Sequence, residues 1–218
     1  MSGNVKSESA KTLVAAILFA LAVGRPVSAA TPKVSSERQI VETFIAAVSR
    51  PDKAPNAKPA FGEVAQSMDF EEMAKRSFGD AGWAKFAPDE QKEVTTLFKR
   101  LVEIRFYPRW RRVFQNGHYE VSSQLKDGSD SLVLGSLQMA GKTSEITFRL
   151  AKSREGFRLV SMKVKDKDLL ERTSSRMKRG LKHKGAAGLI TYLRKKTEEA
   201  PRDVSDKHQL EELISGGK

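Results

Sequence analysis

The sequence predicts an α+β domain: helices first, then a four-stranded antiparallel meander, then a closing helix pair. Three observations predict it. Apolar residues fall at helical spacing from Ser36 to about Val102. After Gly117 the period changes to two, and after about Asp168 helical spacing returns. Helices segregated from a meander in this way make a two-layer α+β fold.

The first helix is expected over Ser36–Ser49, where Ile40, Val41, Phe44, Ile45 and Val48 form one apolar stripe. Ser36 and Gln39 have capping-box spacing, and Arg50-Pro51 stops the helix. Phe61–Met68 suits a short helix. Asp69 caps the next, with Glu72 as its partner and Phe70, Met73 and Ala74 as its buried stripe. Gly79, Asp80 and Gly82 are expected to break it. Pro88 opens a third long helix, with Asp89 and Glu90 at its positive end and Val94, Leu97, Phe98, Leu101 and Val102 along one face. Pro108 is expected to end or kink that helix.

The strands are expected at His118–Leu125, Ser131–Ala140, Thr143–Lys152 and Phe157–Val164, with turns at Asp127-Gly128, Gly141-Lys142 and Gly156. The second of these is apolar on both faces, whereas a one-sided sheet needs one apolar face. Its other face therefore calls for a cover: helices, a partner or lipid. After Asp168, Leu169, Leu170, Thr173 and Met177 continue as helix, and Gly185 separates a last helix with Ala186, Leu189, Ile190 and Leu193. A curled meander against helices leaves a wedge between the layers, a usual place for an apolar cleft.

Thr12–Gly24 reads TLVAAILFALAVG, preceded by Lys6 and Lys11 and followed by Val27-Ser28-Ala29. This is the layout of a cleaved secretory leader over residues 1–29, and the run falls short of the roughly 20 residues that span a bilayer. Residues 30–199 then form one domain and 200–218 a polar tail, with the protein expected in the periplasm after cleavage near Ala29. The chain has no cysteine, which excludes disulfides, thiolate catalysis and a lipid-modified cysteine.

His118, His183 and His208 are scattered, so no metal site is expected; no cofactor motif and no nucleophile constellation is visible either, and the chain reads as a non-enzyme. The net charge of +12 favours anionic surfaces. It concentrates in Arg105-Phe-Tyr-Pro-Arg-Trp-Arg-Arg112 and in nine Lys or Arg between Arg172 and Lys196. In the first, Arg105, Tyr107, Arg109, Trp110 and Arg112 suit a lipid head group, a docking surface, nucleic acid, or rings packed under a helix end with solvated arginines. The leader argues against nucleic acid. Met73, Phe98, Leu101, Leu134, Phe148 and Met162 suit either plain core or the wall of an acyl cavity. A secreted basic module that binds anionic surfaces or polymers without enclosing lipid is the alternative.

The run Met68-Asp69-Phe70-Glu71-Glu72-Met73-Ala74-Lys75, then Gly82-Trp83, Ala87-Pro88-Asp89-Glu90-Gln91 and Phe98-x-x-Leu101, resembles the signature of the Mla (maintenance of lipid asymmetry) periplasmic carriers, the toluene-tolerance family. The resemblance covers about residues 36–197. It implies phospholipid carriage between two membranes, with an inner-membrane ABC transporter bearing an MCE-domain subunit and an outer-membrane lipoprotein–porin complex as partners. It also implies that some of the six apolar residues face a cavity. The chain departs from the family pattern at Val94, at Val160-Ser161 (commonly Tyr-Asp) and at Arg172-Thr173-Ser174 (commonly Asn-Tyr-Arg). These departures suit a divergent member, the hopanoid-associated branch of the family included.

Overall fold

A computed structural model describes residues 36–51, 61–165 and 167–199. The leader expected over residues 1–29 and the polar tail expected over 200–218 lie outside the described residues.

Helix α1 spans Glu37–Ser49, and the hydroxyl of Ser36 accepts a hydrogen bond from the Gln39 amide at 3.2 Å. Its stripe buries Val41, Phe44 and Val48 completely. Helix α2 (Phe61–Gln66) is followed by α3 (Phe70–Phe78), where the Asp69 carboxylate accepts from the Glu72 amide at 2.9 Å. Capping of this kind satisfies an otherwise orphaned first-turn donor. Gly79, at φ +71°, stops α3. The following residues do not remain a break, as expected from Asp80 and Gly82, but form a further helical turn, α4 (Asp80–Trp83). That turn lets Trp83 and Phe86 close on Phe78, with Phe78 and Phe86 centroids 5.1 Å apart.

Helix α5 (Pro88–Leu101) starts on Pro88, and the Glu90 carboxylate accepts from the Ala87 amide at 2.8 Å. Pro108 does not end this helical path. The chain widens into a π turn over Val102–Phe106 and continues as α6 (Tyr107–Asn116). The physical reason lies in proline itself: in an α-helix its ring collides with the carbonyl four residues back, here Ile104, and it offers no N–H. The wider turn just before it accommodates both demands, with the Tyr107 amide donating to Val102 O.

The sheet runs β1 (His118–Asp127), β2 (Asp130–Met139), β3 (Lys142–Ser153), β4 (Gly156–Val164) and a two-residue β5 (Lys167–Asp168), in that spatial order and antiparallel throughout. The short β5 was not expected from the sequence. Register sets Val133, Phe148 and Met162 side by side on one face, which packs on α1 and α6. The opposite face carries Leu132 and Leu134, half-buried, and Leu125, 52% exposed. Gly135 leaves room for the Tyr119 ring: a Cβ there would lie 2.7 Å from it.

The outer edge of β4 is held by the α2–α3 junction. The Asp69 amide donates to Leu159 O at 3.0 Å, and the Leu159 amide donates to Ser67 O at 2.8 Å. After β5, Asp168 caps α7 (Leu169–Glu198) by accepting from the Leu170 and Glu171 amides. Gly185, at φ +66° and ψ −179°, divides α7 into helices over 169–184 and 186–198, the expected pair. Both pack back on the body, which brings α7 against α3 and α5. Among the described residues no helix is long and apolar enough to cross a membrane.

Candidate lipid-binding crevice

A crevice opens where α3, the α5–π–α6 path, β4 and the first turn of α7 converge. Met68 and Met73 line it from the α2–α3 segment, Leu159 and Met162 from β4, and Phe44 from α1. Leu170 and Thr173 of α7 complete the wall. Phe106, Leu170 and Thr173 are half-buried and mark where the crevice meets solvent. Ser161 and Thr173 are its polar side chains, and Ser161 Oγ donates to Asp168 Oδ1 at 2.6 Å. The wall is thus apolar on every element, with its hydroxyls at the β4–α7 corner.

Phe98, Val102, Phe106 and Trp110 supply the remaining wall, four residues apart each time. On a helix of 3.6 residues per turn, each such step overshoots by about 40°, so three steps would swing Trp110 about 120° away from Phe98. The π turn absorbs one extra residue and takes back about 100°. This is why all four side chains reach one crevice from one helical path.

Little free space remains between these side chains: a cavity volume of about 20 Å³. The walls stand nearly closed against one another. Three of them are methionines, Met68, Met73 and Met162, all buried. An unbranched thioether adapts its shape at little energetic cost, which suits a wall that must part.

Of the six apolar residues singled out in the sequence, Met73, Phe98 and Met162 line the crevice. Leu101 is buried on α5 beside it without lining it, and Phe148 is fully buried between Phe44, Phe114 and Tyr119, at centroid distances of 5.9, 6.3 and 5.6 Å. Leu134 lies on the opposite face of the sheet. Of the basic–aromatic segment, Trp110 lines the crevice and stands edge-on to Phe44 at 5.7 Å. Tyr107 is buried against Phe61 at 5.3 Å, Arg105 and Arg112 are exposed, and Arg109 is half-buried. Sequence reasoning missed Phe44, Met68, Leu159, Ser161, Leu170 and Thr173 as wall residues, and with them Val102 and Phe106. For the last two the signal was present as the four-residue series from Phe98 to Trp110, but a series of that length reads as helix drift unless a π turn is assumed.

No cluster of three or more metal-ligating side chains occurs among the described residues. A half-buried ion-pair group sits instead at the α3–hairpin junction. Arg76 and Arg149 both reach Asp130, whose carboxyl lies below the ordinary carboxylate range. Hydrogen bonds from Arg76 are the chief cause, burial works against them, and Arg149 adds to the lowering. Burial pushes the Tyr119 hydroxyl well above its ordinary value, so it stays neutral.

Residues 38–195 match the family described as MlaC protein. The chain belongs to that family. The match takes in all of β1 to β5 and α2 to α6, nearly all of α1 and α7, and the whole crevice wall. Among solved structures, the chain is similar to a phospholipid-binding protein from Ralstonia solanacearum, solved in complex with a phospholipid. The TM-score is 0.62 at 20% identity, covering 73% of this chain and 93% of that one. At that identity the likeness establishes a shared fold. No curated protein matches the chain.

Proposed function

We propose that this protein is a lipid carrier that takes phospholipid acyl chains into the α3–α5–β4–α7 crevice and moves them through the periplasm between outer and inner membranes. The observation that carries the reading is the wall itself: apolar side chains from α1, α3, the α5–π–α6 path, β4 and α7 converge on a nearly closed, methionine-rich crevice, with hydroxyls at one corner only. Membership of the MlaC family and likeness to a phospholipid-binding fold point the same way.

Physics supplies the need. Each exposed CH₂ is unfavourable in water by roughly 0.8 kcal/mol, so a chain of about sixteen carbons faces on the order of 12 kcal/mol against free diffusion. A protein that covers the chains removes most of that barrier, while the head group stays in water at the mouth marked by Phe106, Leu170 and Thr173. Because the walls stand closed, loading requires them to part, and lipid then takes the place of wall-to-wall contact. The reading extends to an inner-membrane ABC transporter with an MCE-domain subunit and an outer-membrane lipoprotein–porin complex as donor and acceptor, and to export directed by the leader at residues 1–29.

The test is to express the protein in a diderm host, purify it without detergent, extract it with organic solvent and weigh the extract by mass spectrometry. Phospholipid in amounts comparable to protein is expected. A lipid-free extract from folded protein would overturn the reading, and hopanoid in place of phospholipid would move the cargo to another lipid class.

A further inference from the structure

Between Glu171 and Glu198 the chain carries nine Lys or Arg and no carboxylate, most of its net charge of +12. On α7, Arg176, Lys178, Arg179, Lys182, Lys184 and Lys195 are exposed. None of them has a carboxylate partner among the described residues. The opposite stripe, with Met177, Leu181, Leu189, Ile190 and Leu193, is buried in the body, so the charge is one-sided. Tyr192, 42% exposed, stands within it, with Lys184 Nζ 5.6 Å and Lys196 Nζ 5.8 Å from its ring centroid.

We infer that this solvent face of α7 docks the protein onto anionic bilayers. The surface is the exposed stripe of a helix, with no groove among its residues. It is lysine-rich, and lysine is a strongly hydrated point charge without the bidentate fork of arginine. Protein interfaces are depleted in lysine and enriched in arginine, whereas a diffuse lipid surface asks only for charge within reach. Each basic side chain near such a surface strengthens binding about fivefold. Tyr192 adds an amphipathic ring of the kind that settles at head-group level. The inference rests on the carrier reading only in taking a bilayer as the surface within reach.

The test is flotation of the purified protein with vesicles of phosphatidylglycerol and phosphatidylcholine in equal parts, or of phosphatidylcholine alone, in 0.05 and 0.5 M NaCl. Binding is expected on the anionic vesicles at low salt, at least tenfold weaker at high salt, where charges are screened within a few ångströms, and absent on the neutral vesicles. Arg179→Gln/Lys182→Gln/Lys184→Gln should weaken low-salt binding at least tenfold with an unchanged melting temperature. Lys142→Gln/Lys152→Gln/Arg154→Gln, which removes as many exposed charges from β3 and its turn, should change it little. Equal binding to neutral vesicles, or equal losses in the two triple variants, would overturn the inference. So would capture of soluble poly-glutamate without capture of vesicles, which would point to an acidic protein. Flotation reads surface binding and not lipid uptake. A protein that floats but yields no extractable lipid therefore keeps its docking face and loses only the carrier role.

Discussion

Arg76 and Asp130, 54 residues apart in sequence, meet as a bidentate pair: Nη1 donates to Oδ2 at 2.6 Å and Nη2 to Oδ1 at 2.9 Å. The pair ties α3, which carries the crevice residue Met73, to the β1–β2 turn. Arg149 joins from β3 at 3.0 Å, and Glu72 holds Arg76 from the other side at 2.7 Å. The Asp130 side chain is nearly buried, so the fork positions the end of the sheet against the helices and does more than decorate a surface.

Asp130→Asn removes the charge while keeping the shape. Hydrogen bonds to a charged partner are worth about 2 kcal/mol, so a loss of that order is expected at neutral pH, read by urea unfolding. The pH dependence has a definite sign. A carboxyl held low in the folded state contributes stability that is present above its unfolded value near 3.9 and is lost as pH falls through the folded value. Wild type should therefore lose stability below about pH 4 more steeply than Asp130→Asn. Parallel acid titrations of the two would remove this role from Asp130.

Gly185 tests the joint between the two halves of α7. Its φ of +66° with ψ near 180° is a region open essentially to glycine alone. A Cβ there would meet nothing within 4 Å, so the penalty for Gly185→Ala is backbone strain and not crowding. A loss of about 1–3 kcal/mol is expected by thermal or urea unfolding. A neutral substitution would mean that the two helices do not need this angle between them.

Much of this fold was legible because local chemistry and tertiary demand agree. Ser36, Asp69 and Asp168 cap the helices that follow them, and Gly128, Gly141 and Gly156 turn the strands where the period-two pattern pauses. The site was legible only in part. Val133 and Leu134 are equally apolar neighbours, and alternation cannot say which one faces the helices; register with Phe148 and Met162 decides it. Phe148 and Met162 are themselves adjacent on one face, yet the first is sealed by rings while the second borders the crevice, because β4 lies one strand nearer to where α3 and α7 converge. That distinction comes from packing across more than a hundred residues of chain and leaves no local mark.

The same distinction gives a paired experiment. Because the walls must part for loading, Met162→Trp should part them and occupy the crevice, and extracted lipid per folded protein should drop several-fold, beyond any share lost to unfolding. Phe148→Trp should instead overpack a closed ring cluster and destabilise by about 1–3 kcal/mol, with lipid lost only in proportion to unfolded protein. Lipid content and thermal unfolding measured on both variants separate the outcomes. Full lipid occupancy in a folded Met162→Trp protein would place the acyl chain elsewhere.

The π turn at Val102–Phe106 makes the last expectation, and its logic is one of counting. One extra residue is absorbed between Val102 and Tyr107, so removing one there should let the path close into a continuous α-helix without turning Trp110 and Phe114 out of the core. Removing one from ordinary α-helix has no such slack: deletion of exposed Arg112 must rotate Phe114 by about 100° relative to Trp110 and should destabilise by several kcal/mol or prevent folding. Deletion of exposed Arg105 should spare the core, but it would place Pro108 inside a regular helix, against the carbonyl four residues back, at about 3 kcal/mol. Adding Pro108→Ala to that deletion should recover most of the loss, whereas Pro108→Ala alone should be close to neutral because the residue count still requires the wide turn. Circular dichroism and urea unfolding of the four variants read this directly. If the Arg105 deletion with Pro108→Ala is as unstable as the Arg112 deletion, the turn holds no spare residue, and another cause must align Phe98, Val102, Phe106 and Trp110 on the crevice.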